Sequence, residues 1–365
     1  MDTITHALMG AQVALAVPMD EAPGRRLRTC ERLLLGAAAG AFPDIDFLGF
    51  LVHPLRFLAQ WHQGPTHSLL LLPAWGALLA GLFCLVTRRR QAWREALAVS
   101  CLGVASHIAL DLITVYGTRI FYPGSERRFS LGTTFLFDPL LSGIVVSGLG
   151  LALCLPLQRR ARAALASMVL LCAYVGVQGV LRQRALELAN ESLHAAGIRA
   201  QGVNALPQPF SPFNWKLIAR AGTDYHVAHV NLAGHSAWVP PWRVLGRLPA
   251  MARAYVPPAR IAWTQRPQLP QARAERALAW QLWVRPDFAD FRRFAVYPAI
   301  SAMTAMPATP PPGETAACVW FTDLRYDLPA VEDIFRYGYC RDRAQAPWRL
   351  YRLAYFSQDQ RQRLD

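Results

Sequence analysis

Ser106-His107-Ile108-Ala109-Leu110-Asp111, inside the apolar run Glu95–Tyr116, decides how this chain is read. The run is long enough to cross a hydrocarbon core of about 30 Å, which takes about 20 apolar residues. Yet it carries an imidazole and a carboxylate at i and i+4, on one face of a helix. An unpaired carboxylate in such a setting carries a severe desolvation cost, so ionisable groups in apolar segments point to function by default.

Working outward, Ser68–Thr87, Thr134–Leu157 and Ala161–Val180 also reach spanning length. Thr5–Val17 is shorter, and Leu33–Val52 is interrupted by Pro43, Asp44 and Asp46. These two read as short spans or half-helices that enter and return. The expectation is an α-helical multi-pass membrane domain of four to six segments, residues 1–185. From about residue 190 prolines, tryptophans and short strand-like runs take over. Strands are expected at Trp215–Arg220, Tyr225–Leu232, Arg260–Thr264, Ala279–Val284, Cys318–Leu324 and Trp348–Phe356, separated by Pro207–Pro212 and Pro310–Pro312. Residues 190–365 thus read as a mainly β extramembrane domain.

The hydrophobic fraction of 53% is concentrated in the first half, and the net charge of +14 is almost all arginine, Lys216 being the only lysine. Much of that charge lies between apolar runs. Arg25, Arg26, Arg28, Arg32, Arg88, Arg89, Arg90, Arg94, Arg159 and Arg160 share one side when six passages are counted, against Arg56, Arg119, Arg127 and Arg128 on the other. The positive-inside rule puts the first set in the cytoplasm and the N-terminus and second-half domain outside. With neither a basic helix nor an aromatic RNA-binding motif, a nucleic-acid partner is not expected. Of seven cysteines none forms a CxxC pair. Cys84, Cys101, Cys154 and Cys172 read as small hydrophobes in apolar runs, while Cys318 and Cys340 can pair. The opening residues lack a basic signal-peptide region.

The same six-passage count brings further groups to the face that holds His107 and Asp111. They are His6, Asp44 and Asp46 in Phe42-Pro43-Asp44-Ile45-Asp46, and His62 and His67 in His62-Gln63-Gly64-Pro65-Thr66-His67-Ser68. Imidazole and carboxylate donors without thiolates suit zinc, with manganese or iron as further options, and their number allows two ions. Singly, each has a plainer reading: a packed histidine, or an Asp turn or cap after Pro43. Thr66 reads equally as a local cap, His53 as interfacial, and His226, His229 and His235 as ordinary surface or core histidines. The joint pattern favours a metal site.

These stretches resemble the YdjM-type family of bacterial inner-membrane, metal-dependent hydrolases. The resemblance rests on Met1-Asp2-Thr3-Ile4-Thr5-His6-Ala7-Leu8-Met9-Gly10, on Phe42–Asp46, and on Gly64-Pro65-Thr66-His67-Ser68. It rests also on His107–Thr118, Tyr122-Pro123, Arg127-Arg128-Phe129, Phe137-Asp138-Pro139 and Pro207–Trp215, so it runs in order over residues 1–240. The motif pattern is similar to that of zinc-dependent phospholipase C and related nucleases. The resemblance implies His6, Asp44, Asp46, His67, His107 and Asp111 as metal ligands. Asp2, His62, Thr66 and Asp138 follow as further ligands or supports, and Arg128 as a contact for an anionic substrate group. Where the family pattern has Arg, this chain has Gln63.

The function expected is a hydrolase of the bacterial inner membrane acting on phosphoester bonds of a lipid or lipid-linked substrate. Metal-activated water would attack, and Asp46 or Asp111 would serve as general base. Two rival readings use the same residues: an ion- or proton-coupled transporter, and a membrane anchor for a protein-binding domain.

Overall fold

The computed structural model describes residues 1–17, 25–234, 248–304, 317–343, 345–355, 357 and 359–364. The chain forms two compact units: Met1–Leu181 with Pro207–Pro212, and Arg182–Leu206 with Phe213–Asp365. Of the sequence-marked features, His235, Pro310–Pro312 and Phe356 lie outside the described residues.

The first unit is helical. It contains α1 (Thr3–Ala16), α2 (Thr29–Ala41), α3 (Leu72–Val86), α4 (Trp93–Leu112) and α5 (Pro139–Cys154), and most of α6 (Leu157–Ala195). Among the described residues three stretches are long and apolar enough to cross a membrane: Thr29–Val52, Arg90–Leu112 and Leu157–Ala195. A fourth forms if Pro54–His67 and Leu72–Val86, bent by 71° at their break, count together.

Two expected spans are therefore shorter than the apolar runs that announced them. Thr134–Leu157 yields only Pro139–Cys154, because Asp138-Pro139 is a start signal: the Asp138 carboxylate accepts from the N–H groups of Leu140 and Leu141, and proline stands at the first helical position. Ser68–Thr87 yields Leu72–Val86, with Pro73 in the first turn and Ser68 Oγ capping the N–H groups of Leu70 and Leu71. Conversely, Ala161–Val180 is the middle of a helix of 39 residues.

Small residues let α1, α2 and α4 meet at backbone distance. A Cβ on Gly10 would overlap the Gly36 carbonyl, and one on Gly40 would overlap the His6 carbonyl oxygen. On the next interface a Cβ on Gly103 would lie 2.7 Å from Ala39 Cβ. Interfaces of this kind rest on close van der Waals packing rather than on hydrophobic burial, because lipid is as apolar as leucine. At one end of the same bundle a buried Arg32–Glu95 pair (2.9 Å) ties α2 to α4, and Arg32 also binds the carbonyls of Ala14 and Val17.

The second unit has two sheets, β1-β2-β3-β4 and β5-β6-β7-β8-β9, with antiparallel pairing from β2 to β4 and throughout the second. The first contains β1 (Gly202–Pro207), β2 (Asn214–Ala221), β3 (Asp224–Asn231) and β4 (Thr264–Pro267); the second contains β5 (Pro298–Thr304), β6 (Ala317–Asp323), β7 (Tyr337–Arg341), β8 (Arg349–Leu353) and β9 (Arg361–Arg363). Trp215, Tyr255, Phe288, Phe291, Phe321, Tyr337 and Tyr339 fill its core. Cys318 and Cys340 face each other in the β6–β7 register and form a disulfide.

Two strand expectations fail here. Ala279–Val284 belongs to the helix α7 (Arg273–Trp283), whose buried residues Ala279, Leu282 and Trp283 follow a spacing of three and four rather than two. Arg260 ends the turn Pro258–Arg260, residues 261–263 follow without regular structure, and the strand begins only at Thr264, because Pro257 and Pro258 set the local backbone.

Candidate metal centre

Each segment brings its donors to the same end of the helical bundle. His6 stands in the first turns of α1, whose start is set by Asp2: one carboxylate oxygen accepts from Thr5 N–H (2.9 Å) and the other from its hydroxyl (2.8 Å). Asp44 and Asp46 follow the end of α2, in the tight helical turn Phe42–Phe47 that Pro43 opens. His67 closes the turn Pro65–His67, and His107 and Asp111 occupy the last turns of α4. The side chains of His6, His67 and His107 are fully buried.

Two sets of donors lie close enough to share an ion: His6, Asp44 and His107, and His67, His107 and Asp111. In the second set His107 Nε2 is 3.0 Å from His67 Nε2, and Asp111 Oδ2 is 3.4 Å from the former and 3.2 Å from the latter. In the first, His107 Nε2 is 3.6 Å from Asp44 Oδ1, and the His6 ring stacks on His107 with centroids 3.7 Å apart. His6 Nε2 lies 3.1 Å from Asp111 Oδ1, while its Nδ1 is buried without a hydrogen-bond partner.

The tautomers follow from the partners. His107 Nδ1 is 2.6 Å from the Gly40 carbonyl, an acceptor only, so Nδ1 carries the hydrogen. His107 Nε2 then turns inward. His67 Nδ1 faces Thr66 Oγ1 at 3.0 Å and Asp46 Oδ2 at 3.6 Å, which again leaves Nε2 toward the centre. Two imidazole nitrogens and a carboxylate oxygen converging within 3.4 Å need a proton or a cation among them, and a divalent ion can serve all three at once. A histidine ligand that donates its other N–H to a carbonyl or carboxylate is the usual support of a metal site. The residues present fit a divalent ion, and the inward-facing ligand atoms and the orphaned His6 Nδ1 are the observations that say so.

The electrostatics agree. Among the described residues no Arg or Lys pairs with Asp44, Asp46 or Asp111; the Met1 ammonium reaches Asp111 Oδ1 at 2.6 Å, a cation where the donors call for one.

The other sequence-marked residues take different places. Asp46 is one step back from the inward-facing nitrogens, held by His62 Nδ1 (3.3 Å) and by the N–H of Gln63 (3.0 Å). His62 is the more open member of that pair, and Thr66 supports His67. Asp2 and Asp138 cap helices, Asp138 also accepting from Tyr174 at 2.7 Å. The Arg128 guanidinium is spent on the carbonyls of Leu58, Ala59, His62 and Gly117 and lies over the Tyr116 ring, so it shapes the loop around His62. Two contributors were not foreseen from sequence: the Gly40 carbonyl, and Thr3, whose hydroxyl donates to Asp44 Oδ2 at 2.5 Å.

Apolar helices around a buried histidine and aspartate cluster define a membrane protein with a metal-competent centre. A family model described as YdjM inner membrane protein matches residues 1–185, and the chain belongs to this family. The match ends near the boundary of the helical unit and contains every residue of the cluster. No curated protein and no solved structure matches the chain.

Proposed function

We propose that this inner-membrane protein is a metal-dependent hydrolase that cleaves phosphoester bonds of a lipid or lipid-linked substrate. One observation carries the reading: the inward convergence of His67 Nε2, His107 Nε2 and Asp111 Oδ2 within 3.4 Å. His6, Asp44, His67, His107 and Asp111 hold the ion or ions, with zinc favoured by the imidazole content and manganese or iron as substitutes. A bound dication of this kind supplies Lewis acidity toward a phosphoryl oxygen and lowers the pKa of water.

The chain's own residues supply the rest. Asp111 accepts from the Met1 ammonium and the Gln63 amide and faces the Nε2 atoms of His6, His67 and His107, so it serves as a ligand rather than as a base. Asp46 engages His62 Nδ1, which orients the ring and leaves Nε2 to take a proton from attacking water and return it to the leaving oxygen. Exposed Ile45, Phe47, Leu48, Leu51 and Val52 flank the Asp44–Asp46 turn, a surface suited to acyl chains. The Cys318–Cys340 disulfide fits an oxidising compartment and supports a periplasmic second unit.

The test is phosphate or phospho-headgroup release from bacterial lipid extract by zinc- or manganese-loaded protein in detergent. Wild type should turn over and His62→Ala should lose about 100-fold or more, in the range of general acid–base contributions. Absence of turnover on every phospholipid and lipid-linked phosphate class in the extract would remove the proposal.

A further inference from the structure

Gln63 is fully engaged inside the centre, although glutamine is neither a usual metal ligand nor a base. It is 3% exposed and makes four hydrogen bonds. Its side-chain Nε2 donates to Asp111 Oδ2 (2.7 Å), and its backbone N–H donates to Asp46 Oδ2 (3.0 Å). Its Oε1 accepts from the Thr118 hydroxyl (3.1 Å), and its backbone carbonyl from Arg119 N–H (3.0 Å). A left-handed φ of 54° lets backbone and side chain face two different carboxylates.

The orientation of the amide follows from chemistry. Asp111 only accepts, so it takes the NH2 end, and the Thr118 hydroxyl then donates to the carbonyl end. Thr118 is itself fixed by backbone bonds with Phe129 in both directions (2.8 and 2.9 Å). A rigid bridge in the loop after α4 therefore passes through one hydroxyl and one amide to the carboxylate at the centre. The amide adds a donor without adding charge.

We propose that Gln63, backed by Thr118, is a positioning residue that aims Asp111 at a divalent cation and fixes Asp46 beside His62. This rests on the metal-centre reading above. Partners of this kind typically govern a 10–100-fold range in metal affinity.

The experiment is a zinc titration of the full chain in detergent against a chromophoric chelator, with thermal unfolding recorded beside it. Gln63→Met should bind zinc about 10–100-fold more weakly. Thr118→Val, which keeps the Phe129 bridge, should lose about threefold to tenfold, the worth of one neutral hydrogen bond. The double variant should be no weaker than Gln63→Met, because the hydroxyl acts only through the amide.

Zinc affinity within twofold of wild type in Gln63→Met would overturn the proposal. If that variant does not fold, the same result in Thr118→Val overturns it. Additive losses in the double variant would break the relay. Wild-type protein that takes up no zinc would sink this proposal together with the metal-centre reading, whereas wild-type uptake with indifferent variants sinks this proposal alone.

Discussion

Both units bury clusters of charge, and they balance it in opposite ways. In the second unit Asp323, Asp327 and Asp333 meet cations: Arg325 lies 2.8 Å from Asp323, and Arg266 lies 2.6 Å from Asp327 and 3.5 Å from Asp333. Fully buried Lys216 donates to the carbonyls of Leu324 and Asp327. Burial draws the Lys216 ammonium down to about 8, against the pull of Asp327. In the first unit three carboxylates and three buried imidazoles face one another with neither Arg nor Lys paired to them among the described residues. The first pattern is that of a structural cluster complete in itself. The first unit's cluster has one cation, the Met1 ammonium on Asp111, and its three carboxylates leave room for more, as in a binding site whose remaining charge is the ligand's.

The sharpest way to break this contrast is to remove one carboxylate from the first cluster and one cation from the second. Asp111→Asn should weaken zinc binding by more than about 100-fold, beyond the range of supporting residues. Lys216→Met should leave zinc binding unchanged and destabilise the chain by about 2–4 kcal/mol in denaturant unfolding, through carbonyls left unpaired. If Lys216→Met lowered zinc affinity as much as Asp111→Asn, the distinction between the clusters would be lost.

Next in size is the packing that assembles the first cluster. Gly40→Ala places a Cβ against the His6 carbonyl oxygen and must push α1 from α2. Overpacking of this kind costs about 1–3 kcal/mol, seen as a lower Tm, and should lower zinc affinity because His6 and the Gly40 carbonyl move apart. A variant with unchanged Tm and zinc affinity would deny the glycine contact its part in building the site.

The smallest effect is in the second unit. Burial around His229, followed by the charges of Lys216 and Arg266, pushes its pKa from 6.5 down to about 3, and its Nε2 is enclosed without a partner. The folded ring stays neutral where the unfolded ring takes a proton, so the unfolded state binds more protons between pH 6.5 and about 3. Stability contributed by this group is complete above 6.5 and is lost as the pH falls through that window. His229→Gln should flatten the acid limb of a stability–pH curve and leave the region above pH 7 unchanged. An equally steep acid limb in the variant would count against the assignment.

How much of this was legible in the sequence depends on the kind of signal. His107 and Asp111 could be read because helical spacing places i and i+4 on one face, and the cost of a carboxylate in an apolar run made them conspicuous. Asp44 and His67 followed by counting passages, and the structure joins both to His107. The ends of α3 and α5 were blurred because apolar content does not reveal where a helix starts, whereas Pro73 and Asp138-Pro139 do. Ala279–Val284 misled because a short apolar window looks the same in strand and helix until Ala279, Leu282 and Trp283 are counted together. The Gly40 carbonyl left no signal, since any residue has a carbonyl. Gln63 stood out only as a departure from a pattern, and its grip on Asp111 required coordinates.

The central claim is that the first cluster holds a divalent ion. Elemental analysis of the detergent-purified full chain, beside a His107→Ala, Asp111→Ala double variant, tests it most directly. The account predicts one or two equivalents of zinc, or of manganese or iron in its place, in wild type and close to none in the double variant. Wild-type protein free of transition metal after purification and after incubation with each of these ions would contradict it, as would equal metal content in the two proteins.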